Sequence, residues 1–239
     1  MKHGKPTRKR NSMKASLDLF SRHLRPEDIE RAKAELRAAK QSRVAREGAD
    51  TISIFLDGEC VHSRRTFAAI KKAFRLSPWA VVVVAPKLEP ERVSNIVSVR
   101  SIPEEQILAR SVVCVNGNCF DQSLAAKALM LGVPQVILMP EKADESEAEA
   151  GSASEVAKES AEDSPTAVST EYADKVIELG AGTALAFSKE VDAGRLRELV
   201  EAVLDDAAYL KAAAAASKQL LQSPNTSRAA KGKSRKKSA

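Results

Sequence analysis

The chain has 239 residues, 44% of them hydrophobic and 29% charged, with a net charge of +6, which is enough to bury one sizeable core. Aromatics are only 4%, so that core must be built from Ala, Val, Ile and Leu, and no apolar run approaches the roughly 20 residues that cross a bilayer. The basic N-terminus, MKHGKPTRKRNSMK, lacks the apolar stretch of a secretory signal; Cys60, Cys114 and Cys119 are an odd count without metal spacing, as expected of reduced thiols in a cytoplasmic protein.

Residues 1–24 read as a disordered basic tail. Pro26 then opens a helix, with Glu27 and Asp28 well placed against its dipole. Over residues 25–48 the apolar stripe is thin, Ile29 and Leu36 with alanines between, which predicts a surface helix. From 49 to 222 the pattern is that of one α/β domain. Ile52, Ile54 and Leu56 alternate as a strand that leaves through Asp57-Gly58. Phe67, Ile70, Ala73 and Phe74 have helical spacing. Residues 79–85 are a buried strand by their β-branched content, and 96–99 form another. Pro103 starts a helix whose apolar side is Ile107 and Leu108. Residues 112–115 make a short strand covered on both faces, followed by the turn Asn116-Gly117-Asn118. Residues 125–131 read as a helix stopped by Gly132, with Pro134 just beyond, and 135–139 as the next strand.

Beyond Glu141 the composition turns to Ala, Ser, Glu and Asp, and residues 146–170 read as an acidic disordered insertion, either a surface loop or a lid. Val176, Ile177 and Leu179 then belong to a helix ending at Gly180, and 183–187 form a strand. Leu196, Leu199, Val200, Val203 and Leu204 mark an amphipathic helix capped by Asp192 or Ser188. An alanine-rich helix follows, and residues 223–239 are a second basic disordered tail. The two tails enclose a net-acidic middle. They suit nucleic acid or anionic surfaces; a solvated tail or an import patch fits the composition as well. Strands alternating with helices predict an α/β, Rossmann-like parallel sheet of about six strands flanked by helices. Ligands of such sheets bind beyond the carboxyl ends of strands. Gly58 and Gly117 stand at two of those ends, and a strand, a glycine turn and a helix start together favour an anion.

The ordered series from Ser101 to Glu145 resembles the donor-binding signature of the UDP-glycosyltransferases with the GT-B fold. It runs as proline and helix, strand, polar-glycine turn, helix, GVPQV, and then P-E-K-A-D-E. Residues 92–110 and 172–185 extend the likeness on either side, so that it covers most of 50–222 as a single GT-B half, the C-terminal donor-binding one. The resemblance implies a UDP-sugar as ligand and transfer with inversion. The uracil would lie at the backbone of Ile102, the phosphates at Asn116, Gly117 and the helix start near Ser123, and the sugar at Asp144 and Glu145. Departures are specific. The family's uracil-stacking aromatic corresponds to Ser101, and its ribose-binding glutamate corresponds to Lys127. The usual histidine of the phosphate turn is missing, and so is the acceptor domain, which would come from a partner protein. Hence weak UDP binding is expected.

Other candidates have plain alternatives. His62 is a phosphate contact or a solvated loop residue; Cys119 is a thiolate at a helix start or an ordinary thiol; Lys127 meets a diphosphate or lies on an exposed helix face. No residue is assigned the catalytic base, and no metal or cofactor is called for. The opposing reading is a non-catalytic GT-B-like binding or scaffold protein.

Overall fold

The computed structural model describes residues 16–45, 50–56, 63–117, 122–140, 165–187 and 190–222. The expectations for Gly58, His62, Cys119, Asp144, Glu145, the first fifteen residues, most of the acidic insertion and the C-terminal tail lie outside these.

Seven strands form one sheet: β1 (Thr51–Phe55), β2 (Ala80–Val84), β3 (Arg92–Val93), β4 (Ile96–Val99), β5 (Ser111–Asn116), β6 (Gln135–Pro140) and β7 (Gly182–Phe187). Their spatial order is β3-β4-β2-β1-β5-β6-β7. Six of them run parallel, and only the two-residue β3 pairs antiparallel, with β4. Sequence reading missed β3, because two residues are too short to show a period. Its hairpin turns at Ser94, with φ of 55°. Asn95 fastens the turn to the sheet through its amide Nδ2, which donates to the carbonyls of Phe74 (2.9 Å) and Trp79 (2.7 Å).

Helices cover both faces. On one lie α2 (Ser63–Phe74) and α6 (Ala193–Asp205). They pack Phe67, Ile70, Phe74, Leu196, Val200 and Val203 on the strand residues that point that way, among them Ile52, Ile54, Val83, Val115 and Leu138. Asp192 caps α6, its Oδ1 accepting from Arg195 N–H at 2.6 Å. The other face carries α1 (Pro26–Ala45), α3 (Glu104–Leu108), α4 (Gln122–Met130), α5 (Pro165–Glu178) and α7 (Ala207–Gln222). This core uses small residues, including Ala125, Ala128, Ala213 and Ala216, under Phe55, Val84, Cys114 and Ile137 of the strands. Alanine keeps helices close, and Gly132 (φ 73°) ends α4 where an added Cβ would lie 3.7 Å from the Cα of Ala214 on α7.

Three expectations change. Residues 16–24 are not all tail: 16–21 are helical, Leu17 is buried, and Phe20 is fully buried edge-on against Tyr172 with ring centroids 5.1 Å apart. One aromatic ring inside a basic stretch suffices to dock it. Helix α1, expected as a surface helix, has Ile29, Ala32 and Ala39 buried in the second core. Residues 165–170, assigned to the insertion, are helical and belong to α5, with Pro165 at the first helical position that proline suits.

Candidate functional site

From β1 the chain builds outward to β2, β4 and β3, then crosses back to set β5, β6 and β7 on the other side. The order reverses between β1 and β5, the point where such a sheet opens a crevice beyond its carboxyl ends. Asn116 closes β5 there and is buried. Gly117, the next residue, donates its N–H to the carbonyl of Phe55 at 2.9 Å. A Cβ on residue 117 would sit 2.7 Å from that oxygen, so glycine is required for close approach rather than for positive φ. This corrects its expected role. The Gly117 N–H is already engaged by β1 and is not offered to a phosphate.

Two helices leave this edge of the sheet. Pro103 precedes α3 with φ of −56°, and its carbonyl accepts from Gln106 N–H at 3.0 Å, starting the helix. Ile102 before it is half-buried against the second core, and Ser101 is exposed. Ser123 stands half-buried in the first turn of α4. The two helices pack side by side and are joined by charge. Lys127 Nζ of α4 donates to Glu104 Oε2 of α3 at 2.8 Å and lies 3.3 Å from Glu105 Oε1. Glu105 is buried, and its Oε1 receives no well-aligned hydrogen bond. Arg31 of α1 approaches Glu105 Oε2 at 3.7 Å, and Arg110 meets Glu35 of α1 at 3.5 Å. Burial pulls the Lys127 ammonium toward neutrality, but the hydrogen bond and charge of Glu104, and then the charge of Glu105, outweigh it and hold its pKa above the ordinary lysine value.

Lys127 is therefore neither on an open helix face nor waiting for a diphosphate; two carboxylates hold it. Sequence reading found Lys127 but missed Glu104, Glu105 and Arg31. The available signal was a lone cation in the otherwise uncharged α4, with a pair of glutamates 23 residues upstream. An open cleft away from this edge holds about 460 Å³ between α2 and α6, lined by Arg65, Lys72, Glu190 and Asp192 among others. It lies on the opposite face of the sheet from Lys127. Among the described residues no three His, Cys, Asp or Glu side chains are grouped to hold a metal ion. None of the described helices is long and apolar enough to cross a membrane.

No protein-family model matches the chain, and no curated protein matches it. Solved structures do match. CalG4, the calicheamicin glycosyltransferase, is 22% identical with a TM-score of 0.58, over 78% of this chain and 42% of that one. SnogD, a glycosyltransferase from Streptomyces nogalater, is 19% identical with a TM-score of 0.55, over 78% and 44%. Os79 from O. sativa, solved in complex with UDP, is 14% identical with a TM-score of 0.54, over 77% and 39%. At these identities the likeness is one of fold. The chain has the Rossmann-like α/β fold of one half of a GT-B glycosyltransferase, and it spans about two fifths of the length of the structures it matches.

Proposed function

We propose, from the premise of a GT-B half, that this chain is the donor-binding half of a glycosyltransferase and works with a partner chain that supplies the acceptor-binding domain. The observation that carries the reading is the half-fold itself, with its switch point between β1 and β5 and the α3–α4 pair beside it. A uridine diphosphate would place its base at the backbone of Ile102 and its phosphates at the start of α4 near Ser123. Main-chain recognition of a base edge does not depend on side-chain identity, so the exposed Ser101 removes only stacking, about 0.5–1.5 kcal/mol by analogy with aromatic pairs. The sugar would reach toward Asp144 and Glu145, and Asn116 and Gly117 would shape the floor rather than donate. Transfer would draw its base from the partner, since geometry assigns that role to none of the described residues. The setting is proposed to be cytoplasmic.

Calorimetry with millimolar UDP and ADP tests the reading. We expect UDP to bind with a dissociation constant near the millimolar range and ADP more weakly. A UDP-sugar should lose affinity in Asp144→Ala. Equal binding of ADP and UDP would remove uridine specificity and with it the donor role. One observation favours a second reading, a non-catalytic binding module: Lys127, at the position of the family's ribose-binding glutamate, already has its charge matched within the chain. Absence of UDP binding would select that reading.

A further inference from the structure

We infer that the cleft between α2 and α6 is a site for a small hydroxylated organic anion, of the class of sugar phosphates and sugar acids, with its charge on Lys72. The cleft lies on the opposite face of the sheet from Lys127, and the inference stands apart from the donor reading.

The shape comes from small residues. Ala68 and Ala69 of α2 face Val191 and Ala193 at the start of α6, and the lining holds no long apolar side chain, so a cleft of about 460 Å³ remains between the helices. That is within the usual size range of small-molecule pockets. Val191 and Ala193 are themselves buried members of the core beneath. Arg197 of α6 ties the two helices together: its Nη1 donates to the carbonyl of Ala73 at 3.4 Å, one residue beyond Lys72, and its Nε donates to Glu201 at 2.8 Å. A cleft whose walls are joined in this way exists before a ligand arrives, which lowers the cost of binding.

The pairing of charges decides what the cleft accepts. Arg65 lies 3.6 Å from Glu190 across it. Lys71, the neighbouring cation on α2, is turned to Glu91 at 3.2 Å. The start of α6 is already occupied, because Asp192 Oδ1 accepts from Arg195 N–H at 2.6 Å. Lys72 is the cation of the lining that has neither an ion pair nor a hydrogen bond among the described residues. An ammonium has three donors and no lone pair, so an anion completes it. The remaining carboxylate oxygens of Glu190 and Asp192 only accept hydrogen bonds. They suit hydroxyl groups and repel a second anion. A ligand with one charged end, hydroxyls along its body and a C–H face to lay on the alanines meets all three demands.

Ligand-observed NMR on the full-length chain compares glucose 6-phosphate, glucuronate and glucose at millimolar concentration. The charged sugars should bind about tenfold more tightly than glucose, the effect of one charge-assisted hydrogen bond, and the tighter of the two identifies the head group. Lys72→Gln should bring both down to the level of glucose. Ala68→Leu, which fills the cleft from an exposed helix position, should abolish binding. Arg64→Gln removes an exposed cation of the same helix that is outside the lining, and binding should be unchanged. A thermal melt checks that each variant folds, and if Ala68→Leu does not, the comparison of Lys72→Gln with Arg64→Gln decides. The inference falls if neither charged sugar binds, if glucose binds as tightly as they do, or if Arg64→Gln weakens them as much as Lys72→Gln, which would make the attraction one of diffuse surface charge.

Discussion

Replacing Lys127 by Met would leave the Glu105 carboxylate, 2% exposed, with Arg31 at 3.7 Å as its remaining cation. Removing one partner of a buried ion pair typically costs roughly 3–5 kcal/mol, and urea denaturation should show a loss near the lower end. The pH dependence has a definite sign. Because the folded pKa of Lys127 is raised, its contribution is complete at neutral pH and disappears only as pH rises through that folded value. The stability gap between the natural chain and Lys127→Met should therefore be flat from pH 6 to 9 and narrow at higher pH. Cys114 behaves alike for another reason: burial pushes its thiol up to about 12 from 9.0, only partly countered by the Ser53 hydroxyl. The folded chain keeps a proton that the unfolded chain surrenders above pH 9, so stability falls as pH climbs from there. In the native state Cys114 should resist thiol reagents and react only after urea is added. At Gly117 the constraint is steric. An added Cβ would meet a backbone oxygen at 2.7 Å, and Gly117→Ala should cost about 1–3 kcal/mol, measured by the same denaturation.

At the scale of elements, the sequence speaks most clearly where a local rule applies. Pro103 announces α3, Gly132 ends α4, Asp192 caps α6, and the valine-rich runs give β2 and β5, because each signal sits inside the element it marks. The N-terminal segment was harder to read. Alanine at 32 and 39 carries almost no hydrophobic signal, yet both residues are buried, since α1 is admitted to the core by being narrow. Phe20 docks on Tyr172, a partner that no local pattern names. The candidate site was legible in the same uneven way. Its backbone frame, Ile102, Pro103 and Gly117, follows from turn chemistry, whereas the joining of Lys127 to Glu104 and Glu105 depends on two helices meeting in space. Phe20→Ala removes a fully buried ring and should cost about 3–5 kcal/mol. A chain shortened to begin at residue 46 should melt lower than the full chain, and an unchanged melting point would show that α1 contributes nothing to the fold.

For the molecule as a whole, the donor reading has a thermal signature. With a dissociation constant near 1 mM, 10 mM UDP would stabilise the folded chain by about 1.4 kcal/mol, which for this size is a rise of roughly 3–6 °C in melting temperature. ADP should give a smaller rise. The clasp between the N-terminal segment and α5 has a further consequence, one of timing. Ser16 donates to Glu178 at 3.4 Å across 162 residues of chain, and Phe20 waits equally for Tyr172. A ribosome adding about 5–20 residues per second makes the two ends of that clasp some 8–30 s apart. Once Leu17 and Phe20 have left the tunnel, they spend most of that interval with their final shelter not yet synthesised. Nascent chains stalled before residue 172 should therefore bind a general hydrophobic chaperone through this segment, and chains stalled well beyond 178 should release it.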